Sequence, residues 1–98
     1  MLLVTAYVSC SEADRESVRE AAGNLVATTQ SEDGCDEYRL YEDTERPGSF
    51  VFVERWRDRD ALDAHVRSEH FRGFGREVGR LLTGSDVQVH DVASTSGL

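Results

Sequence analysis

The residues best suited to chemistry in this chain are a histidine and a glutamate at apolar positions of their elements. His65 shares the inner face of a short amphipathic segment with Leu62 and Val66, where a solvent-facing residue would not be placed. An imidazole with an unperturbed pKa of about 6.5 is suited to act as a general base near neutral pH. Glu54 alternates with aromatic residues on one face of a strand, so it needs a cationic partner or has a raised pKa.

Each candidate also has a purely structural interpretation. His65 is equally well explained as a buried histidine bonded to a strand or to Glu54, and Glu54 as an ion pair with Arg39 or His65. His70 is suited to orient a turn between two helices, and Glu32 to make a loop or helix-end contact. No metal is expected at His65 and His70, because a spacing of five residues does not place two rings together on one helix.

Composition excludes several other kinds of chemistry and partner. Two cysteines are too few for a disulfide framework, and we interpret Cys10 and Cys35 as small buried hydrophobes. The chain has no lysine, which excludes a Schiff-base mechanism. A formal net charge of −8 disfavours nucleic acid as a partner, since phosphates are bound by excess cations.

Length and hydropathy predict one domain that does not enter a membrane. The 98 residues suffice for a single domain, expected over residues 1–93, with a flexible tail at 94–98. No apolar run approaches the roughly 20 residues that a membrane span requires. The apolar start alternates like a strand and lacks a basic leader, so we expect a cytoplasmic protein.

Hydrophobic periodicity predicts the order βαββαβ, with the second helical region broken in two. The predicted elements are a strand at Leu2 to Cys10, a helix from 12 to about 30, strands at Cys35 to Asp43 and Ser49 to Arg57, a short helix after the N-cap Asp58, a helix after the N-cap Ser68 and a strand at Val87 and Val89. The last helix would carry the stripe Phe71, Phe74, Val78, Leu81 and Leu82 and end at Gly84. This order indicates an α+β fold, with an antiparallel sheet and its helices on one side.

The strand at Ser49 to Arg57 has two apolar faces. Val51 and Val53 lie on one face, and the other carries Phe50, Phe52, Glu54 and Trp56. Helices can cover only one of these faces, and large aromatic side chains left in water would form an unusually large apolar patch. We therefore expect a second copy of the chain to cover the remaining face, giving a homodimer.

Three motifs in this order resemble the antibiotic biosynthesis monooxygenase domain family, over about Leu3 to Val92. They are Glu32-x-Gly34-Cys35-x-x-Tyr38, Phe50-x-x-x-Glu54-x-Trp56 and Leu62-x-x-His65-x-x-Ser68-x-His70-Phe71. The resemblance implies a ferredoxin-like fold that dimerises sheet against sheet into an α+β barrel. It also implies oxidation of quinol, phenolic or polyketide-type aromatic substrates by molecular oxygen, without metal, flavin or haem.

Under this resemblance the candidate residues take specific roles. His65 would be the base or proton relay, Trp56 and Tyr38 would position the substrate ring, and Glu54 would tune His65 or hold the pocket. Substrate contacts are expected from five side chains, namely Tyr38, Phe50, His70, Phe71 and Phe74. The purely structural interpretations remain open. In these, the aromatic residues belong to the core or to the dimer interface, and Tyr38 is a half-buried tyrosine of its strand.

Two other functions are kept as alternatives. One is a small-molecule-binding or stress-response dimer without turnover. The aromatic residues can line a binding slot, but no set of residues in the sequence is found only in catalytic sites. The other is haem degradation by relatives with the same barrel. That branch uses a haem-ligating histidine and an asparagine where this chain has Gly75 and the Ala6-Tyr7 region, and neither glycine nor alanine can bind iron.

Overall fold

The alternating segments pair into one antiparallel sheet, with the helices packed on one of its faces. The computed structural model describes all residues, 1–98. Its elements are β1 (Leu2–Cys10), a 3-10 turn (Glu12–Asp14), α1 (Arg15–Thr29), β2 (Cys35–Glu42), β3 (Ser49–Trp56), α2 (Arg59–Val66), α3 (Glu69–Val78), a second 3-10 turn (Gly79–Leu81) and β4 (Leu82–Asp91). The strand order is β2-β3-β1-β4, and every neighbouring pair is antiparallel. The predicted α+β fold class is confirmed.

The two predicted N-caps are confirmed, with Asp58 at the start of α2 and Ser68 at the start of α3. The Asp58 carboxylate accepts a hydrogen bond from the Ala61 amide at 2.9 Å, and the Ser68 hydroxyl accepts one from the Phe71 amide at 3.2 Å. The Ser68 hydroxyl also donates to the His65 carbonyl at 2.6 Å, which ties the end of α2 to the start of α3. A capping side chain satisfies amide groups that have no partner in the first turn, so α3 begins as a separate helix.

The prediction that Gly84 ends the last helix is wrong. Leu81 lies in a 3-10 turn, Leu82 already begins β4, and Gly84 pairs with Ser9 of β1. A Cβ atom at Gly84 would lie 2.9 Å from the Ser9 hydroxyl, so the strand approaches β1 closely here. The ladder with β1 therefore outweighs the helical spacing of these leucines, because each paired residue gains hydrogen bonds along the strand.

The aromatic face of β3 is covered by helices of the same chain. Phe50, Phe52 and Trp56 are at most 3% exposed. Their cover includes a buried apolar stripe on α1, made of Val18, Ala21, Ala22 and Leu25. The sequence-based premise that the chain has nothing left to cover these aromatic side chains is therefore wrong.

The opposite face of the sheet is the one that no helix covers. Val51 pairs with Tyr7 on one side and with Tyr41 on the other, so these three side chains form a row across the sheet. Tyr7 is 51% exposed and Tyr41 is 50% exposed. A dimer, if formed through the sheet, would bury this row rather than the aromatic residues Phe50, Phe52 and Trp56.

A glycine turn brings the loop between α1 and β2 against α2. Gly34 has a φ of +81°, and a Cβ atom there would lie 2.6 Å from the Ala61 Cβ. Its carbonyl accepts a hydrogen bond from the Arg57 amide at 2.8 Å. Only glycine combines this left-handed backbone with so close an approach, and the turn holds Glu32 beside the helix that carries His65.

None of the helices has both the length and the apolar character needed to cross a bilayer.

Candidate active site

His65 lies at the centre of a cluster of rings between α2 and the sheet. Its side chain is on the inner face of α2, and the residue is 1% exposed. The ring centroid lies 4.8 Å from that of Trp56, 5.0 Å from that of Phe71 and 5.2 Å from that of Tyr38. Such close packing on several sides holds the imidazole in one orientation.

Glu32 determines which nitrogen of His65 carries the proton. Its Oε2 atom lies 2.6 Å from His65 Nδ1 and 2.7 Å from His70 Nε2. An ionised carboxylate only accepts hydrogen bonds, so both nitrogens must donate. In the neutral ring of His65, Nε2 is then unprotonated and carries a lone pair. This Nε2 atom is buried and has no hydrogen-bond partner in the protein.

Burial keeps the His65 ring neutral. Desolvation lowers the pKa of His65 below its ordinary value of 6.5, although the hydrogen bond to Glu32 acts in the opposite direction. At neutral pH the imidazole is therefore uncharged and able to accept a proton at Nε2. If it accepts one, the adjacent carboxylate of Glu32 stabilises the imidazolium.

The two histidines do come together, contrary to the expectation from their spacing. Their ring centroids are 5.9 Å apart, because His65 is on α2 and His70 is on α3, and the helix axis changes direction between them. The donor atoms of Glu32, His65 and His70 all lie within 4.8 Å of one another, so this trio could hold a metal ion. The two short hydrogen bonds account for the spacing without one.

Glu54 is a buried carboxyl group without a cationic partner. It is 4% exposed, and its Oε1 atom accepts a hydrogen bond from the Trp56 indole at 2.9 Å. Burial raises the pKa of Glu54 from 4.5 to about 7, although the bond from Trp56 opposes the shift. Of the two possibilities that the sequence left, a cation or a raised pKa, the structure shows the second. Arg39 instead pairs with Glu37.

A cavity of about 330 Å³ lies beside His65, between α2, α3 and the β1–β4 side of the sheet. Most of its lining is apolar, and its polar side chains include both Glu54 and His65. The apolar lining residues are Val4, Ala6, Leu62, Val66, Phe71, Val87 and Val89. In the single chain the cavity is open to solvent, since Val87 is 59% exposed and Val66 is 46% exposed.

The predicted site residues divide into three groups. Glu54, His65 and Phe71 line the cavity. Trp56 and His70 do not line it, but each contacts a residue of the site: Trp56 bonds to Glu54, and His70 bonds to Glu32. The remaining three form or flank the core behind the site, with the ring of Tyr38 tilted against that of His65, Phe74 packed on Phe52, and Phe50 near the far end of β3.

Sequence reasoning missed the role of Glu32 and the whole rim of the cavity. The sequence predicts only a loop or helix-end contact for Glu32, although its place in the first motif also singles it out. Arg59 and Asp63 of α2 and the C-cap residue Arg67 are spaced by four residues, which puts them on one side of the helix. This regularity could have indicated a charged row beside His65.

Comparison with known proteins agrees with the resemblance in sequence. The family model described as antibiotic biosynthesis monooxygenase matches residues 1–77. A Mycobacterium tuberculosis protein named "Putative monooxygenase Rv0793" is 41% identical over 69 residues, which are 70% of this chain and 67% of that protein. A Bacillus subtilis protein named "Putative monooxygenase YcnE" is 31% identical over 83 residues, or 85% of this chain and 87% of that protein.

Solved structures show the same fold. The structure of Rv0793 has a TM-score of 0.89 at 33% identity, and the match covers 98% of each chain. A Deinococcus radiodurans protein described as a "putative antibiotic biosynthesis monooxygenase" has a TM-score of 0.94, covering 100% of this chain and 98% of its own. Its 21% identity shows the fold alone. The family match over residues 1–77 and the two related sequences show that the chain belongs to the antibiotic biosynthesis monooxygenase family.

Proposed function

We propose that the protein is a cofactor-independent monooxygenase that oxidises a quinol or related phenolic aromatic substrate with molecular oxygen. One observation carries the proposal. His65 lines an apolar cavity, its buried Nε2 has no hydrogen-bond partner in the protein, and Glu32 holds its Nδ1. A buried neutral imidazole backed by a carboxylate is a general base, and here it faces a space that a small aromatic ring can enter.

A base is sufficient because the substrate can supply the electrons. Most oxygenases use a flavin or a metal, since triplet oxygen reacts slowly with closed-shell organic molecules. A phenolate is a much better electron donor than a phenol, so removal of the phenolic proton starts the reaction. Electron transfer from the phenolate to oxygen gives a radical pair, which combines to form a C–O bond.

The overall reaction balances without an external reductant. A quinol and O2 give a hydroxyquinone and water. One oxygen atom enters the ring in place of hydrogen, and the other leaves as water. All the electrons that reduce oxygen come from the quinol, through its oxidation to the quinone and the conversion of one ring C–H bond into C–OH.

The residues of the site take distinct roles in this reaction. His65 accepts the phenolic proton at Nε2 and later returns it to the reduced oxygen. Glu32 keeps Nδ1 protonated and stabilises the imidazolium, and His70 holds Glu32 in place through the second hydrogen bond. Phe71 and the valines at the cavity wall provide an apolar surface for the ring.

Oxygen uptake by metal-free protein tests the proposal. With hydroquinone as the substrate, we expect uptake above the autoxidation background, and we expect His65→Gln to lower it by about 100-fold or more. His90→Gln is the matched control, because His90 is exposed on β4 and does not line the cavity. Uptake by wild type that equals the background, or equal losses in both variants, would contradict the proposal.

The cavity of the single chain is open to solvent. This favours one alternative, a dimer that binds small aromatic molecules without turnover. The same experiment separates the two functions. Saturable binding of hydroquinone without oxygen uptake supports the binding protein. Addition of haem tests the third possibility, because a shift of the Soret band would indicate a haem site.

A further inference from the structure

A row of charged side chains on α2 and its C-cap residue Arg67 forms the rim of the cavity. Arg59, Asp63 and Arg67 are spaced by four residues, and all three line the cavity. Arg59 Nε lies 3.3 Å from Asp63 Oδ1, so these two charges offset each other. The guanidinium of Arg67 has no carboxylate within 4 Å, since no ion pair involves it.

Arg67 is distinguished from the other unpaired arginines by its position at the cavity. The chain carries a net charge of −8, and most of its arginines are paired with carboxylates. The unpaired ones are Arg46, Arg67, Arg72 and Arg80, of which only Arg67 lines the cavity beside His65. The row of Arg59, Asp63 and Arg67 therefore has a net charge of +1 next to an apolar surface.

The interior of the cavity is complementary to a ring. Val87 and Val89 on β4 are 59% and 40% exposed, although they lie on the same side of the sheet as the buried Val4. An aromatic ring placed over these valines would remove apolar surface from water and would lie within reach of His65. A substituent on the ring that points outward would meet Arg67.

We propose that the substrate is an aromatic carboxylate, with its ring over Val87 and Val89, its phenolic group toward His65 Nε2 and its carboxylate paired with Arg67. This inference rests on the proposed function and specifies its substrate class. A single free guanidinium matches one carboxylate, which it can bind through two parallel hydrogen bonds. Glu54, the acidic residue inside the cavity, is held by Trp56 on the sheet side and does not neutralise Arg67.

Anaerobic binding tests the inference separately from turnover. The probes are carboxyhydroquinone, its methyl ester and unsubstituted hydroquinone, and the signal is the fluorescence of Trp56, the only tryptophan in the chain. An exposed ion pair contributes up to about 1 kcal/mol, so we expect the acid to bind roughly fivefold more tightly than the ester. The preference should decline as the salt concentration rises.

Variants identify the residue responsible. We expect Arg67→Gln to remove the preference for the acid, and Arg67→Lys to retain part of it. Arg72→Gln is the matched control, because Arg72 is also exposed and unpaired but does not line the cavity. Equal affinities for acid and ester in wild type, or an unchanged preference in Arg67→Gln, would overturn the inference.

The two proposals fail in different ways. If the acid binds preferentially through Arg67 but no probe supports oxygen uptake, aromatic carboxylates are ligands of the site and the monooxygenase proposal fails. If hydroquinone and the methyl ester are turned over as efficiently as the acid and bind as tightly, the monooxygenase proposal stands and the carboxylate inference fails.

Discussion

Replacement of Glu54 by glutamine should change how the stability of the protein depends on pH. Glu54 is buried, and its only hydrogen bond in the protein comes from the Trp56 indole. Glutamine has nearly the same shape, and its amide oxygen can accept the same bond. The substitution therefore removes the titrating proton while leaving most of the packing unchanged.

The magnitude follows from the raised pKa of Glu54. Between its ordinary pKa of 4.5 and its folded pKa of about 7, the folded state holds a proton that the unfolded state has released. The free energy of unfolding of wild type should therefore fall as the pH rises through this interval, by about 3 kcal/mol from this group, and then level off. Glu54→Gln lacks this contribution, so it should gain about 3 kcal/mol relative to wild type between pH 4.5 and pH 8.

Urea denaturation across this pH range, followed by Trp56 fluorescence, measures the difference. Protein concentration is held constant, because association would add to the apparent stability. The opposite contribution of His65, whose pKa is lowered, is present in both proteins and cancels in the difference. Glu20→Gln is the control, since Glu20 is exposed on α1 and forms no ion pair. A stability difference between wild type and Glu54→Gln that does not vary with pH would refute the reasoning.

Three further predictions concern the site and the assembly. Glu32→Gln should lower kcat by roughly tenfold, because a neutral amide is a weaker partner for His65 Nδ1 than a carboxylate; oxygen-uptake kinetics check this, and an unchanged kcat would count against the role of Glu32. Dialysis against a chelator should leave the uptake rate unchanged, and a loss restored by a divalent cation would instead place a metal at Glu32, His65 and His70. Light scattering should give the mass of a dimer for wild type and of a monomer for Val51→Glu, because Val51 lies between Tyr7 and Tyr41 on the uncovered face of the sheet; a monomeric wild type would contradict the homodimer.

The parts of the fold that depend on local signals could be predicted from the sequence. Strict alternation identified β1 and β3, and the capping residues Asp58 and Ser68 gave the starts of α2 and α3. These signals act within a few residues, so a single sequence contains them. The start of β4 was missed because the leucines Leu81 and Leu82 have helical spacing, and only pairing with β1 shows that they leave the helix.

The assembly of the site depends on contacts that are distant in sequence. Glu32 and His65 are 33 residues apart, and their hydrogen bond requires both the turn at Gly34 and the break between α2 and α3. The alternation in β3 showed that the strand has two apolar faces but not which one the helices cover. His65 and Glu54 were identified nevertheless, because each is a titratable residue at an apolar position of its own element.

The central claim is that His65 presents an unprotonated Nε2 to the cavity at neutral pH. Nitrogen-15 NMR of the histidine rings measures this directly, with His70→Gln and His90→Gln used to assign the signals. We expect His65 to be the neutral tautomer protonated at Nδ1, with a pKa below 6.5 and an Nε2 signal that shifts when hydroquinone binds under anaerobic conditions. A ring protonated at Nε2 at neutral pH, or an Nε2 signal unaffected by bound hydroquinone, would contradict the account.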